Sequence, residues 1–181
     1  MKQESAAFTS ADVPRFFNEM AALDIKGTAA RLEAASVRMQ ELAPRIPDER
    51  SAGETWNAKE VLAHVAVLSR AYGVFAYMVA HGRLSELNLG DIINQRDVVG
   101  EEMAQLSVAE IVAEAKKQHD RTLKFLASAT TDQWATTVKT EFGDLRVESL
   151  IRLPLLVHLE DHLDQIERIL AGDTEAVAAG G

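Results

Sequence analysis

Apolar residues recur every three to four positions through most of the chain, and that period predicts a mostly helical protein. Within residues 12–43, Val13, Phe16, Phe17, Met20 and Leu23 share one face, and Ala30, Leu32, Val37, Met39 and Leu42 follow beyond Gly27. Gly27 either breaks or bends that helix. Pro44 and Pro47 end it, because neither donates a backbone hydrogen bond and each restricts the residue before it. Asn57 and Glu60 stand at capping-box spacing and open a second helix, striped by Val61, Val65, Leu68, Tyr72, Phe75 and Val79 to about residue 80. Ser107 and Glu110 repeat the spacing and open a third, with Val108, Ile111, Val112, Ala115, Leu123 and Leu126 inward. A fourth runs from about Val147 to Leu170 on Ile151, Leu155, Leu159, Ile166 and Ile169.

Two stretches interrupt this pattern. Residues 81–106, punctuated by Gly82, Gly90 and Gly100, read as a long connection with one short helical piece. A connection of that length in a compact domain is more often functional than idle. Thr136–Glu141 and Leu145–Val147 read as a short β-like pair around Gly143 and Asp144. The expected architecture is all-α. It is a single four-helix bundle over residues 1–171, with a long connection between helices 2 and 3, a β-like pair before helix 4, and a flexible tail at 172–181.

Composition narrows the function. The 181 residues suit one domain with a real core. Nineteen Lys and Arg against 28 Asp and Glu give a net charge of −9, which argues against nucleic-acid or anionic-membrane partners. The chain has no cysteine, so disulfides, thiolate-bound metals and thiol nucleophiles are excluded, and a cytoplasmic setting fits. No export signal is expected at the N-terminus. Arg70 interrupts the longest apolar stretch, within residues 61–80, short of the roughly 20 residues that span a bilayer. Phosphate loops, dinucleotide fingerprints and serine-hydrolase elbows are absent.

The histidines carry the candidate chemistry. His158 and His162 lie four apart on the fourth helix, one turn apart on the same face, and that face is the apolar stripe. His64 lies on the inward stripe of the second helix between Val61 and Leu68. Two readings remain open. These are core imidazoles satisfied by neighbours, or three ligands of an open metal site with positions left for water or substrate. Around the pair, Glu160 is two places after the first histidine, so this is not the zinc-protease motif. Glu160, Asp164 and Glu167 read as a solvated face, with Arg168 pairing with Asp164. Asp161 or Gln165 lies near enough to orient an imidazole, though Asp161 reads slightly better as a flanking surface carboxylate. Pro154 is expected to kink the helix ahead of His158. His119 is a conceivable fourth ligand but reads better as packed at the bundle edge or reaching solvent, and His81 as a structural residue ending the second helix. Trp56 is expected to pack on the first turn of that helix, and Trp134 to anchor the core.

The run Trp56-Asn57-Ala58-Lys59-Glu60-Val61-Leu62-Ala63-His64 resembles the start of the second helix in the DinB/YfiT-like superfamily. His158-Leu159-Glu160-Asp161-His162, followed by Gln165-Ile166, is similar to that superfamily's closing motif. Asp91-Ile92-Ile93-Asn94-Gln95-Arg96 resembles the middle of the related mycothiol-dependent maleylpyruvate isomerase N-terminal domains. The resemblance spans about residues 25–170. It implies a four-helix bundle holding a divalent metal, zinc or nickel, on His64, His158 and His162. It also implies a homodimer and chemistry on a small-molecule substrate with a low-molecular-weight thiol as cosubstrate. Asp164 departs from the pattern, standing where a small residue precedes the Gln, and an extra carboxylate there is expected to affect substrate choice. A second domain of the isomerase type is not expected. The functional expectation is a metal-dependent thiol S-transferase or isomerase. The alternatives are a non-catalytic metal-binding or stress-related bundle, and a metal-dependent hydrolase.

Overall fold

The structure is a computed structural model, and it describes residues 24–49, 55–89, 99–141 and 143–173. Helix α1 spans Ile25–Leu42 and runs into a 3-10 turn at Ala43–Arg45. Asp24 caps it by accepting from the Gly27 N–H, so Gly27 lies in the first turn and breaks nothing within the described helix. The stripe predicted at residues 12–23 lies outside the described residues. Thr28, Leu32, Ala35, Ser36, Met39 and Leu42 form the buried face of α1, whereas Ala30 and Val37, expected inward, are exposed.

Helix α2 (Ala58–Ala80) begins with both bonds of the Asn57–Glu60 capping box in place. Every residue from Ala58 to Ser69 is buried, so the first half of α2 is the central rod of the bundle. By length and composition α2 could cross a membrane, yet it is mostly buried inside the fold, as a core helix is. Helix α3 (Val108–Ser128) opens on the Ser107–Glu110 box, and the short α4 (Thr131–Ala135) on a third box, Thr130–Gln133.

Strands β1 (Thr137–Thr140) and β2 (Gly143–Arg146) pair antiparallel, with Thr140 opposite Gly143. The strands therefore reverse between Thr140 and Gly143, ahead of the expected Gly143 and Asp144. Gly143, at φ +110°, supplies the conformation that starts the return strand. Ser85 and Leu87 add backbone bonds to Lys139, so part of the long connection lies along this hairpin. Its residues 90–98 lie outside the described residues, as does the tail from 174.

The chain then enters α5 (Val147–Ile151), a π-helical turn (Arg152–Val157) and α6 (His158–Leu170). The predicted kink at Pro154 is thus a change of helix type. Proline has no N–H for the ordinary i−4 bond, and its ring crowds the preceding turn, so the wider i−5 pattern absorbs it. The His158 N–H reaches back to the Leu153 carbonyl, five residues earlier.

Side-chain contacts give the helix directions. Ser69 meets His119 and Tyr77 meets Phe125, so α2 and α3 run parallel. Arg31 pairs with Glu160, and Arg38 with Asp164 and Glu167, so α1 and α6 also run parallel. Parallel neighbours need a long crossover connection, which accounts for the stretch 81–106. At Gly73 the α2 backbone packs so closely on the Thr122 side chain of α3 that a Cβ would lie 2.5 Å from Thr122 Oγ1.

Candidate metal centre

The turn of α2 that carries His64 and the first two turns of α6 face each other across the core. His64 Nε2 lies 3.0 Å from His158 Nε2, and His162 Nε2 lies 2.9 Å from that same atom. Ligand atoms of all three residues fall within 4.8 Å of one another. His64 and His162 are buried, and His158 is half-buried, so the cluster opens on the His158 side. The rings of His158 and His162 stand nearly perpendicular, at 86° and 4.3 Å, which brings two nitrogens one turn apart onto one point.

These donors fit a divalent ion. Three imidazole nitrogens around one tetrahedral ion, each at about 2.0–2.1 Å, sit about 3.3 Å apart, a few tenths more than the two separations here. An imidazole nitrogen carries one hydrogen or one lone pair in the ring plane, so His158 Nε2 has a single bond to share between two Nε2 neighbours. An ion that takes a lone pair from each ring removes that conflict, and imidazole suits zinc and nickel alike.

Gln165 completes the arrangement. Its Oε1 lies 2.7 Å from His162 Nδ1, accepting the ring N–H and leaving the Nε2 lone pair aimed at the cluster. Trp56 is buried and packs its ring 4.8 Å from that of His64, so it walls the cluster on one side. Asp161, read as a surface carboxylate, is buried, whereas Glu160 turns away to Arg31. Asp164 pairs with Arg38 at 2.6 Å, not with Arg168, and faces α1, not the histidines. That position removes the reason to give it a part in substrate choice. Arg38, 126 residues earlier in the chain, was invisible to i, i+4 reasoning.

His119 is not part of the cluster. It is fully buried, against the expectation of a bundle edge, with Nδ1 3.0 Å from Ser36 Oγ and Nε2 2.9 Å from Ser69 Oγ. Burial lowers its pKa to about 4, with the nearby Asp120 opposing the shift and Lys116 adding to it. His81 caps α2, its Nδ1 donating to the Tyr77 carbonyl at 2.8 Å. Trp134 is buried, with the Arg152 guanidinium 5.6 Å from its ring centre.

Fold and site together define a helical bundle with a buried three-histidine cluster between two of its helices. The chain belongs to the DinB superfamily, whose profile matches residues 25–166. No curated protein matches it in sequence. Among solved structures, the mycothiol-dependent maleylpyruvate isomerase shares the fold at 11% identity, with a TM-score of 0.62, covering 85% of this chain and 69% of that one. A histidine-to-alanine mutant of the same enzyme aligns at 12% identity, with the same TM-score and coverage.

Proposed function

We propose that the protein is a divalent-metal-dependent enzyme in which His64, His158 and His162 hold zinc or nickel and the open side receives a small thiol. The convergence of three Nε2 atoms in the core carries this reading. When bound, such an ion lowers the pKa of a coordinated thiol or water, so that the nucleophilic anion forms near neutral pH. The protein's own residues prepare the site. Gln165 holds His162 in the tautomer that donates its Nε2 lone pair. Trp56 braces His64, and the half-buried His158 leaves an approach for the thiol and its electrophilic partner. The choice of thiol transfer or isomerisation over hydrolysis follows the mycothiol-dependent enzyme that shares the fold, and is an argument from analogy. The same reading makes the protein a cytoplasmic homodimer acting on a small molecule.

The test is turnover of an electrophile with mycothiol or bacillithiol by zinc- or nickel-loaded protein. Activity lost in His162→Ala, with circular dichroism unchanged, is the expected result. Metal binding without turnover under any thiol would instead support a non-catalytic metal-binding bundle.

A further inference from the structure

A cavity of about 410 Å³ opens between the C-terminal halves of α2 and α3, a volume within the range of small-ligand sites. None of the three clustered histidines lines it. Ser69 forms its buried floor, Tyr77 and Phe125 supply aromatic surface, and the exposed Arg121 and Lys124 stand at its rim. Among the described residues no acid lines the cavity, although the chain carries 28 acids to 19 bases. Of the acids on α3 near it, Asp120, beside Arg121 in sequence, is paired with Lys116, and Glu114 is engaged by Lys117 and Gln118.

Tyr77 is 40% exposed yet held on three sides. Its ring lies 4.2 Å from His81, meets Phe125 edge-on at 5.9 Å, and carries the Arg83 guanidinium 5.9 Å from its centre. An exposed aromatic already fixed in place costs little entropy to bind against. Ser69 and His119 have the spacing of a nucleophile and base. Burial, however, leaves that imidazole too weak a base to activate a hydroxyl near neutral pH. The cavity is therefore suited to binding and not to reaction.

We infer that this cavity binds a small amphipathic carboxylate, its apolar body against Tyr77 and Phe125 and its charge between Arg121 and Lys124. The experiment is calorimetric titration of the full chain with 4-phenylbutyrate, beside the amine and the alcohol built on the same body. One saturable site is expected for the carboxylate, at least tenfold weaker for the amine. Lys124→Glu should weaken carboxylate binding at least tenfold with an unchanged melting curve, and a chelator should leave the affinity unaltered. Absence of saturation, equal binding of all three analogues, or indifference to Lys124→Glu overturns the proposal. Loss of binding on chelation also overturns it, by placing the ligand at the histidine cluster.

Discussion

His119 sits between the hydroxyls of Ser36 and Ser69, and burial lowers its pKa from 6.5 to about 4. The unfolded chain takes up this proton near pH 6.5 and the folded chain only near 4, so between those values the unfolded state binds more protons. Stability must therefore fall as pH drops through that window, by an amount on the order of 3 kcal/mol at its lower end. Urea midpoints measured from pH 7 to 4.5 should show a shallower decline in His119→Gln than in the parent, with the variant already less stable at pH 7. Equal slopes would contradict the assignment. At the cluster, Gln165→Leu removes the acceptor for the His162 N–H and should weaken metal binding about 10–100-fold in a chelator competition, with the fold intact. The helical period brought out His64, His158 and His162 because each lies on an apolar stripe. It offered Asp161 or Gln165 as the residue that orients an imidazole but could not choose Gln165, because proximity along a helix does not specify side-chain rotamer. Nor could it place His119, whose serine partners lie on two other helices.

Pro154 belongs to the scale of the element. The π turn at Arg152–Val157 passes the missing donor without breaking the helix, and it sets where His158 begins α6. Pro154→Ala restores a donor and a better helix former, so the ordinary α pattern can return. The expected outcome is an equal or higher melting temperature together with weaker metal binding, since the histidine pair is turned relative to His64. Unchanged affinity would mean that the π turn does not aim the site. Asn57→Ala should cost about 1 kcal/mol in chemical denaturation through loss of the α2 cap, with metal stoichiometry unaltered. Capping boxes were legible at Asn57 and Ser107 because both spacing and residue types are local. The hairpin was legible as a pair, but its reversal lies ahead of the place expected, because Gly143 opens the return strand instead of the turn. The π turn left only the proline as its trace, and a proline alone does not distinguish a kink from a change of helix type.

For the molecule as a whole, α2 and α3 run parallel, as do α1 and α6, and the long crossover between helices 2 and 3 follows from that order. The sequence showed the length of the connection and not its cause, because helix direction is set by contacts far apart in the chain. Arg31 and Arg38 tie α1 to Glu160, Asp164 and Glu167 of α6, along the helix that carries the histidine pair. The Arg38 pairs, half-buried at Arg38 and reaching solvent at Asp164, stay open enough to water to contribute little each. Arg38→Ala should lower stability by less than about 1 kcal/mol, with the difference shrinking in high salt, as read by denaturant midpoints. The central claim concerns how the bundle uses the space between α2 and α6. Its most direct test is elemental analysis of untagged protein beside the His158→Ala, His162→Ala double variant. The account predicts about one equivalent of zinc or nickel per chain, lost in the variant while its helical spectrum persists. Protein that holds no metal, and takes up none after dialysis against either ion, would make the three histidines core residues and contradict it.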